Sequence, residues 1–300
     1  MKDHTVTVVI PTFGRPAALR RCLAALSAGR RQADAIMVAD QSTDSRTREM
    51  LDDQFPRVVY RHLSPPNAAA ARNMALHART EAIAYTDDDC VPDPAWLEVL
   101  LGEYESGGRD VVAVTGRVLP FGRGLAVSSR NGVVRRCFRA ADGGLDRGEW
   151  TPWDVGSGGN MLVRRATLAE VGGSDPRLGP GTPARAAEDI DLLYRLARAG
   201  TIVYAPKAVV FHAAQSRRAR VRRRYAYGRG MGALLAKHLE ARDPAARRLL
   251  DLYVRHQGAN AWRGGPWGPP EALLTLAGAG RSLLPLLLPR RAPAEDLTHA

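Results

Sequence analysis

Residues 1–115 alternate short apolar runs with helical stretches, and this alternation restricts the fold more than any other feature. Apolar runs at 6–10, 35–39, 58–63, 82–86 and 111–115 have the length and composition of strands. Pro11 closes the first, and Pro16 stands where a first helical turn tolerates it. Leu19, Cys22, Leu23 and Leu26 follow at helical spacing. Thr43 or Asp44 can cap a helix reaching about residue 52, and the alanine-rich stretch 67–78 reads as helical. Asp93 is placed to cap a further helix, with Pro94 at its first position, through 101. Strands joined by helices imply right-handed crossovers and a mainly parallel sheet, with ligands beyond the carboxyl ends of the strands. Asp40 and Asp87 both fall at such ends, so two acidic sites are expected on one edge.

The remaining chain is less regular. Residues 116–153 carry weak signals, 156–164 read as a turn entering a strand, and 165–171 as a short helix ended by Gly172 and Gly173. Residues 187–199 are helical with Gly200 as the stop, and 201–205 form a strand. The last stretch is helical and basic, then rich in proline and glycine. The expected organisation is an α/β core in two halves, 1–115 and 116–215, followed by a helical extension over 216–300.

Charge narrows the partners. The net charge is +12, and Arg217, Arg218, Arg220, Arg222, Arg223, Arg224 and Arg229 crowd one stretch without an intervening carboxylate. Nucleotides, nucleic acid or an anionic membrane surface are the partners such a balance favours. RNA binding usually interleaves aromatics with the basic residues. Tyr225 and Tyr227 alone offer little of that, so nucleic acid is not expected. Three widely spaced cysteines argue against a disulfide framework. With neither a secretory leader nor a long apolar run, a cytoplasmic protein is expected, with peripheral contact at the inner membrane face as an option through the arginine run.

Several clusters could carry chemistry. Asp87, Asp88 and Asp89 would repel one another at a strand end unless a divalent cation joined them, and hard oxygen ligands suit Mn²⁺ or Mg²⁺. A solvated turn leading into the Asp93 cap fits the same residues. Asp40 has no evident capping role and could accept from a base or ribose, whereas Asp44 fits a cap equally well. Arg72 interrupts an alanine helix. Glu188 and Asp189 open a helix, where the dipole favours acids and where a general base could also stand. The glycine-rich turn 156–160 allows close approach to a ligand. His212 follows an apolar run and reads as a structural histidine or a ligand.

The order of these segments decides among the readings. VVIPTFGRPAALRRCLAAL, VADQSTD, NAAAARNMAL, IAYTDDDC, GSGGNMLVRR and EDIDLLYRLARAG, over residues 5–230, resemble the family-2 inverting glycosyltransferases of GT-A fold. The family commonly has Asp-Asp-Gly-Ser where this chain has Asp40-Gln41-Ser42, a departure that bears on nucleotide contacts. The resemblance implies a Rossmann-like, mainly parallel sheet flanked by helices. It places Pro11, Thr12 and Arg15 beside the nucleotide, Asp40 and Arg72 at the base, and Asp44 in support. It sets Asp87 and Asp88 against ribose and sugar, Asp89 on the metal with His212 as an additional ligand, and Gly158, Gly159 and Asn160 at the sugar and acceptor. Asp189 matches the general base, with Glu188 beside it. Apart from the resemblance, the arginine run offers Arg229 as a contact for the leaving diphosphate.

The implied reaction moves a sugar from a nucleoside-diphosphate donor, with UDP favoured, to a hydroxyl on a glycan, lipid-linked or small-molecule acceptor, inverting the anomeric centre with Mn²⁺ or Mg²⁺. A nucleotidyltransferase is the alternative enzyme, but it would want a basic pyrophosphate loop where only Arg15 stands. A non-catalytic nucleotide-sugar binder is the other alternative, and the complete acidic set argues against it.

Overall fold

The structure, a computed structural model, describes residues 4–122 and 132–287. In chain order the elements are β1 (Val6–Thr12), α1 (Pro16–Ser27), β2 (Ala35–Asp40), α2 (Arg46–Gln54), β3 (Val59–His62), α3 (Ala68–Asn73), β4 (Ala82–Thr86), β5 (Cys90–Pro92) and α4 (Trp96–Ser106). They continue with β6 (Val111–Phe121), β7 (Arg136–Phe138), α5 (Gly144–Arg147), α6 (Pro152–Val155), β8 (Asn160–Arg164), α7 (Arg165–Glu170), α8 (Glu188–Ala199) and β9 (Thr201–Ala213). Three helices close the chain: α9 (Arg217–Glu240), α10 (Ala246–Arg263) and α11 (Gly268–Leu287).

The strands form one sheet in the order β3-β2-β1-β4-β8-β6-β9-β5, with β7 on β9. The β3, β2, β1 and β4 contacts are parallel, as the crossovers predicted. Antiparallel β8 then separates β4 from β6, so the sheet is mixed beyond its first half. Pro11 lies inside β1 instead of ending it. Pairing with β4 stops at Val9, and Thr12 already accepts from Gln41 on the β2 side. The donor that proline lacks therefore falls where β1 has no neighbour.

Period-two alternation divides the core. Val6, Val8 and Ile10 pack with Leu19, Leu23, Trp96 and Leu100 on one face. Val9, Ile83 and Tyr85 face the other, with Leu192, Leu193 and Leu196 of α8. The same second core takes in Met231, Leu234 and Leu235 of α9 and Leu249 and Tyr253 of α10. The C-terminal helices thus share the core of the sheet. A polar clamp reinforces the joint: Asp191 of α8, fully buried, accepts from Lys237 at 2.8 Å and His238 at 2.9 Å, both on α9.

Two long-range features shape the sheet edge. The β6–β9 register shifts between Gly116 and Arg117, which carries both strands past the rest of the sheet. The extended end of β9 then pairs with β5, setting Cys90 opposite His212.

Candidate active site

The acidic triplet leaves β4 at its carboxyl end, and its three carboxylates diverge into different surroundings. Asp88 points inward and is fully buried. It accepts from the Thr12 hydroxyl at 2.7 Å and pairs with Arg15 at 2.8 Å. Burial raises its pKa to about 6, against the opposing pull of Arg15 and Thr12. Arg15 also reaches Asp89. Asp89 faces His212, whose Nε2 lies 3.2 Å from its Oδ1. Burial opposes ionisation of Asp89, but bonding to His212 and the charge of Arg15 prevail and hold it at about 2.

Asp87 turns toward Arg72. The buried guanidinium donates to Asp87 at 2.9 Å and to Glu188 at 2.7 Å, bridging the sheet edge to the start of α8. Burial pushes the Glu188 carboxyl well above the usual range despite that partner. The chain enters α8 through Arg185 and Ala187, both non-glycine residues in the left-handed region (φ 67° and 75°). That entry presents Glu188 and Asp189 in the first turn.

Asp189 differs from its neighbours. One oxygen accepts from the Gly158 amide and the other from the Ile190 amide, each at 2.9 Å. Close approach explains the glycines of the facing turn. A Cβ on Gly158 would lie 3.0 Å from the Asp189 Cβ, and one on Gly159 would lie 2.6 Å from an Asp87 oxygen.

These groups border a cleft of about 410 Å³. Asp87, Glu188 and Asp189 are the carboxylates lining it, with Arg72, Gly159 and His212 alongside. Of the three, Asp189 alone has no ion pair among the described residues. The opposite wall was not foreseen from sequence: it consists of Trp153, Arg223, Arg224, Tyr227, Tyr253 and Gln257. Residues 223, 224, 227 and 231 recur at helical spacing, which was the signal available. Arg229 stands roughly 180° around α9 from that face, at about 100° per residue, and lines a separate cavity with Arg177 and Arg281. Trp153 Nε1 and the Tyr253 hydroxyl are both buried without a hydrogen-bond partner among the described residues. Such atoms carry a desolvation penalty that a bound polar group would relieve.

Other expected site residues take different places. Asn160 is fully buried behind the cleft, not on its border. It accepts from Trp96 Nε1 at 2.8 Å and donates to the carbonyls of Arg117 and Ala208 at 2.9 Å, so its amide is spent on holding β8, β6 and β9 together. Asp40 is also fully buried, accepting from the Ser42 amide at 2.9 Å and the Tyr60 hydroxyl at 3.1 Å. Gln41 reaches the Asn67 carbonyl at 2.9 Å. Asp44 is turned to solvent and paired with Arg46. Arg72 is drawn to Asp87 and Glu188 and makes no bond to Asp40.

Asp89, Cys90 and His212 each offer an atom within 4.8 Å of the others. Burial raises the Cys90 thiol well above its ordinary pKa, so it remains protonated and a poor partner for a hard cation. A carboxylate oxygen and an imidazole nitrogen suit Mn²⁺ or Mg²⁺. The residues present fit the group. No helix among the described residues is long and apolar enough to cross a membrane.

Comparison with known proteins bears on the family and the fold. The glycosyl transferase family 2 model matches residues 7–172. Pre-mycofactocin glycosyltransferases from two strains of Mycobacterium tuberculosis are 30% identical over 254 residues, covering 80% of this chain and 49% of theirs. The chain therefore spans about half the length of the curated relatives it matches. The mannosyltransferase PcManGT from Pyrobaculum calidifontis, solved with GDP-Man and Mn²⁺, superposes with a TM-score of 0.60 at 22% identity, over 95% of this chain and 78% of that one. A fragment of Staphylococcus aureus TarS gives a TM-score of 0.61 at 14% identity, over 93% and 81%. The architecture is the GT-A fold.

Proposed function

The chain belongs to glycosyl transferase family 2, and we propose that it transfers a sugar from a nucleoside-diphosphate donor to an acceptor hydroxyl with inversion, using Asp189 as general base. The observation that carries this reading is the state of Asp189. Of the cleft carboxylates it alone has no ion pair among the described residues, and two amides fix its orientation. A base must be unencumbered and aimed, and Glu188, bound to buried Arg72, is neither. Asp189 takes the proton of the acceptor hydroxyl as its oxygen attacks the anomeric carbon. The nucleoside diphosphate leaves from the opposite side, which inverts the centre.

The N-terminal half, 1–115, is the donor side. Asp87 borders the cleft beside Gly159 and is placed to orient the sugar, with Arg72 fixing its rotamer. Arg15 and Thr12 hold Asp88 beneath the site, and Asp40 with Ser42 and Tyr60 shapes the end of β2 near the base. Asp89 and His212 would hold a divalent cation. When bound, such an ion neutralises charge developing on the departing diphosphate. The PcManGT complex contains GDP-Man and Mn²⁺, which supports a nucleotide sugar and a divalent ion without specifying UDP or GDP for this chain. Arg223 and Arg224, on the wall that Arg229 does not reach, are placed nearer this chemistry. The acceptor side lies against Trp153 and Tyr253, whose partnerless donors suit a polyhydroxylated molecule.

The test is release of nucleoside diphosphate from a panel of nucleotide sugars with Mn²⁺, for the parent and for Asp189→Asn. Loss of transfer with donor binding retained supports the assignment, and transfer at the parental rate refutes it.

A further inference from the structure

A second cavity of about 340 Å³ opens beside the catalytic cleft, between the N-terminal turns of α9, the end of α10 and the start of α11. Arg224, Gln257 and Thr275 line both, so the two spaces adjoin. Its charge is lopsided: Arg217, Arg220, Arg224 and Arg263 line it against the single carboxylate Glu271. Glu271 is fully engaged, accepting from Arg220 at 3.1 Å and Arg224 at 2.9 Å. Arg217 is stacked over the Trp267 ring at 5.4 Å, and neither it nor Arg263 has an ion pair among the described residues. Asn260 and Gln257 add amide donors to the lining.

Four guanidinium groups around one cavity repel one another, and a single carboxylate leaves most of that charge uncompensated. The stacking holds Arg217 and the Glu271 pairs hold Arg220 and Arg224, so three of the four forks are positioned before any ligand arrives. Phosphate and carboxylate are the groups whose geometry matches such forks. We propose that this cavity is an anion subsite for the acceptor: the acceptor carries a phosphate or carboxylate that docks on Arg217 and Arg263 while its hydroxyl reaches Asp189 in the adjoining cleft. This rests on the glycosyltransferase reading above and names a class of acceptor for it. The anion belongs either to a soluble molecule or to a lipid headgroup presented at a surface. The exposed Trp267 in its lining is compatible with the second source.

The experiment uses the full chain in metal-free buffer, which keeps diphosphate-type binding at Asp89 from contributing. Glucose 6-phosphate and glucose are titrated by calorimetry, and vesicles of phosphatidylglycerol or phosphatidylcholine are tested by co-sedimentation. The comparison is with Arg217→Gln, Arg263→Gln and the double variant, whose side chains have no ion pair to lose. Binding of glucose 6-phosphate with at least about tenfold preference over glucose, lost in the double variant, supports a soluble anion. Binding of phosphatidylglycerol vesicles alone, lost in the same variant, supports a headgroup. The subsite is refuted if neither probe binds, or if the double variant binds like the parent. It is refuted too if the variant also loses stabilisation by nucleotide sugar with Mn²⁺, since the arginines would then serve the donor. Failure of the catalytic reading looks different: the probes bind as expected, yet no nucleotide sugar is turned over.

Discussion

His212 Nε2 lies 3.2 Å from Asp89 Oδ1, a contact made by the antiparallel pairing of β5 with the end of β9. If the pair holds a divalent cation, each side chain should affect metal dependence. Asp89→Asn is expected to lose the rise in melting temperature that Mn²⁺ confers on the parent. His212→Ala should need at least about tenfold more Mn²⁺ for half-maximal turnover, since a lost ligand or its support weakens metal sites by such factors. Mn²⁺ titrations followed by thermal shift and by product release check both. Unaltered metal curves in both variants would remove the pair from the metal site.

Removal of the base should leave binding intact. General-base catalysis contributes about 10²–10⁴ in rate, so Asp189→Asn should reduce turnover by that range with little change in donor affinity. A progress curve for nucleoside diphosphate, with donor titration alongside, separates the two effects.

Arg72 joins Asp87 to Glu188 from a buried position. Arg72→Ala would leave two carboxylates without their cation, and breaking a buried pair of this kind costs about 3–5 kcal/mol. The expected result is a lower denaturant midpoint at pH 8 together with reduced turnover. An unshifted midpoint would show the bridge to be dispensable.

Glu188 supplies a pH signature. Its folded pKa is raised by burial, so the folded state binds its proton more tightly than the unfolded chain does. Its contribution to stability is full below the ordinary glutamate value of about 4.3 and is lost as pH rises through the raised folded value. Glu188→Gln should therefore flatten the fall in melting temperature between pH 5 and pH 8. An identical slope in parent and variant would contradict the shift.

Asn160 is expected to matter for stability and not for substrate affinity. Asn160→Leu removes the acceptor for Trp96 and the donors to the buried Ala208 carbonyl and the partly buried Arg117 carbonyl. Each group left unpaired costs about 1–3 kcal/mol, so the midpoint should fall by several kcal/mol equivalent, while the donor KM of the surviving folded fraction stays near the parental value.

The alternation of residues 1–115 determined the parallel half of the sheet, because strand and helix periods are local and Asp40 and Asp87 had to fall at strand ends. The order of motifs likewise carried the family. What sequence left open was how each acid is used. Asp87, Asp88 and Asp89 are equivalent as letters, but the pleat and the turn after β4 send one to Arg72, one under Thr12 and one to His212. The family pattern put Asn160 at the sugar beside Gly159, which does line the cleft; only the packing of β6, β8 and β9 around its amide showed that its bonds are spent inside. The arginine run showed its charge from the start, but which arginines meet the cleft was decided by the rotation of α9, fixed by Lys237 and His238 on Asp191. Local patterns set the elements and their order. The division of labour among like residues depends on contacts between distant segments, and those exist only once the core has closed.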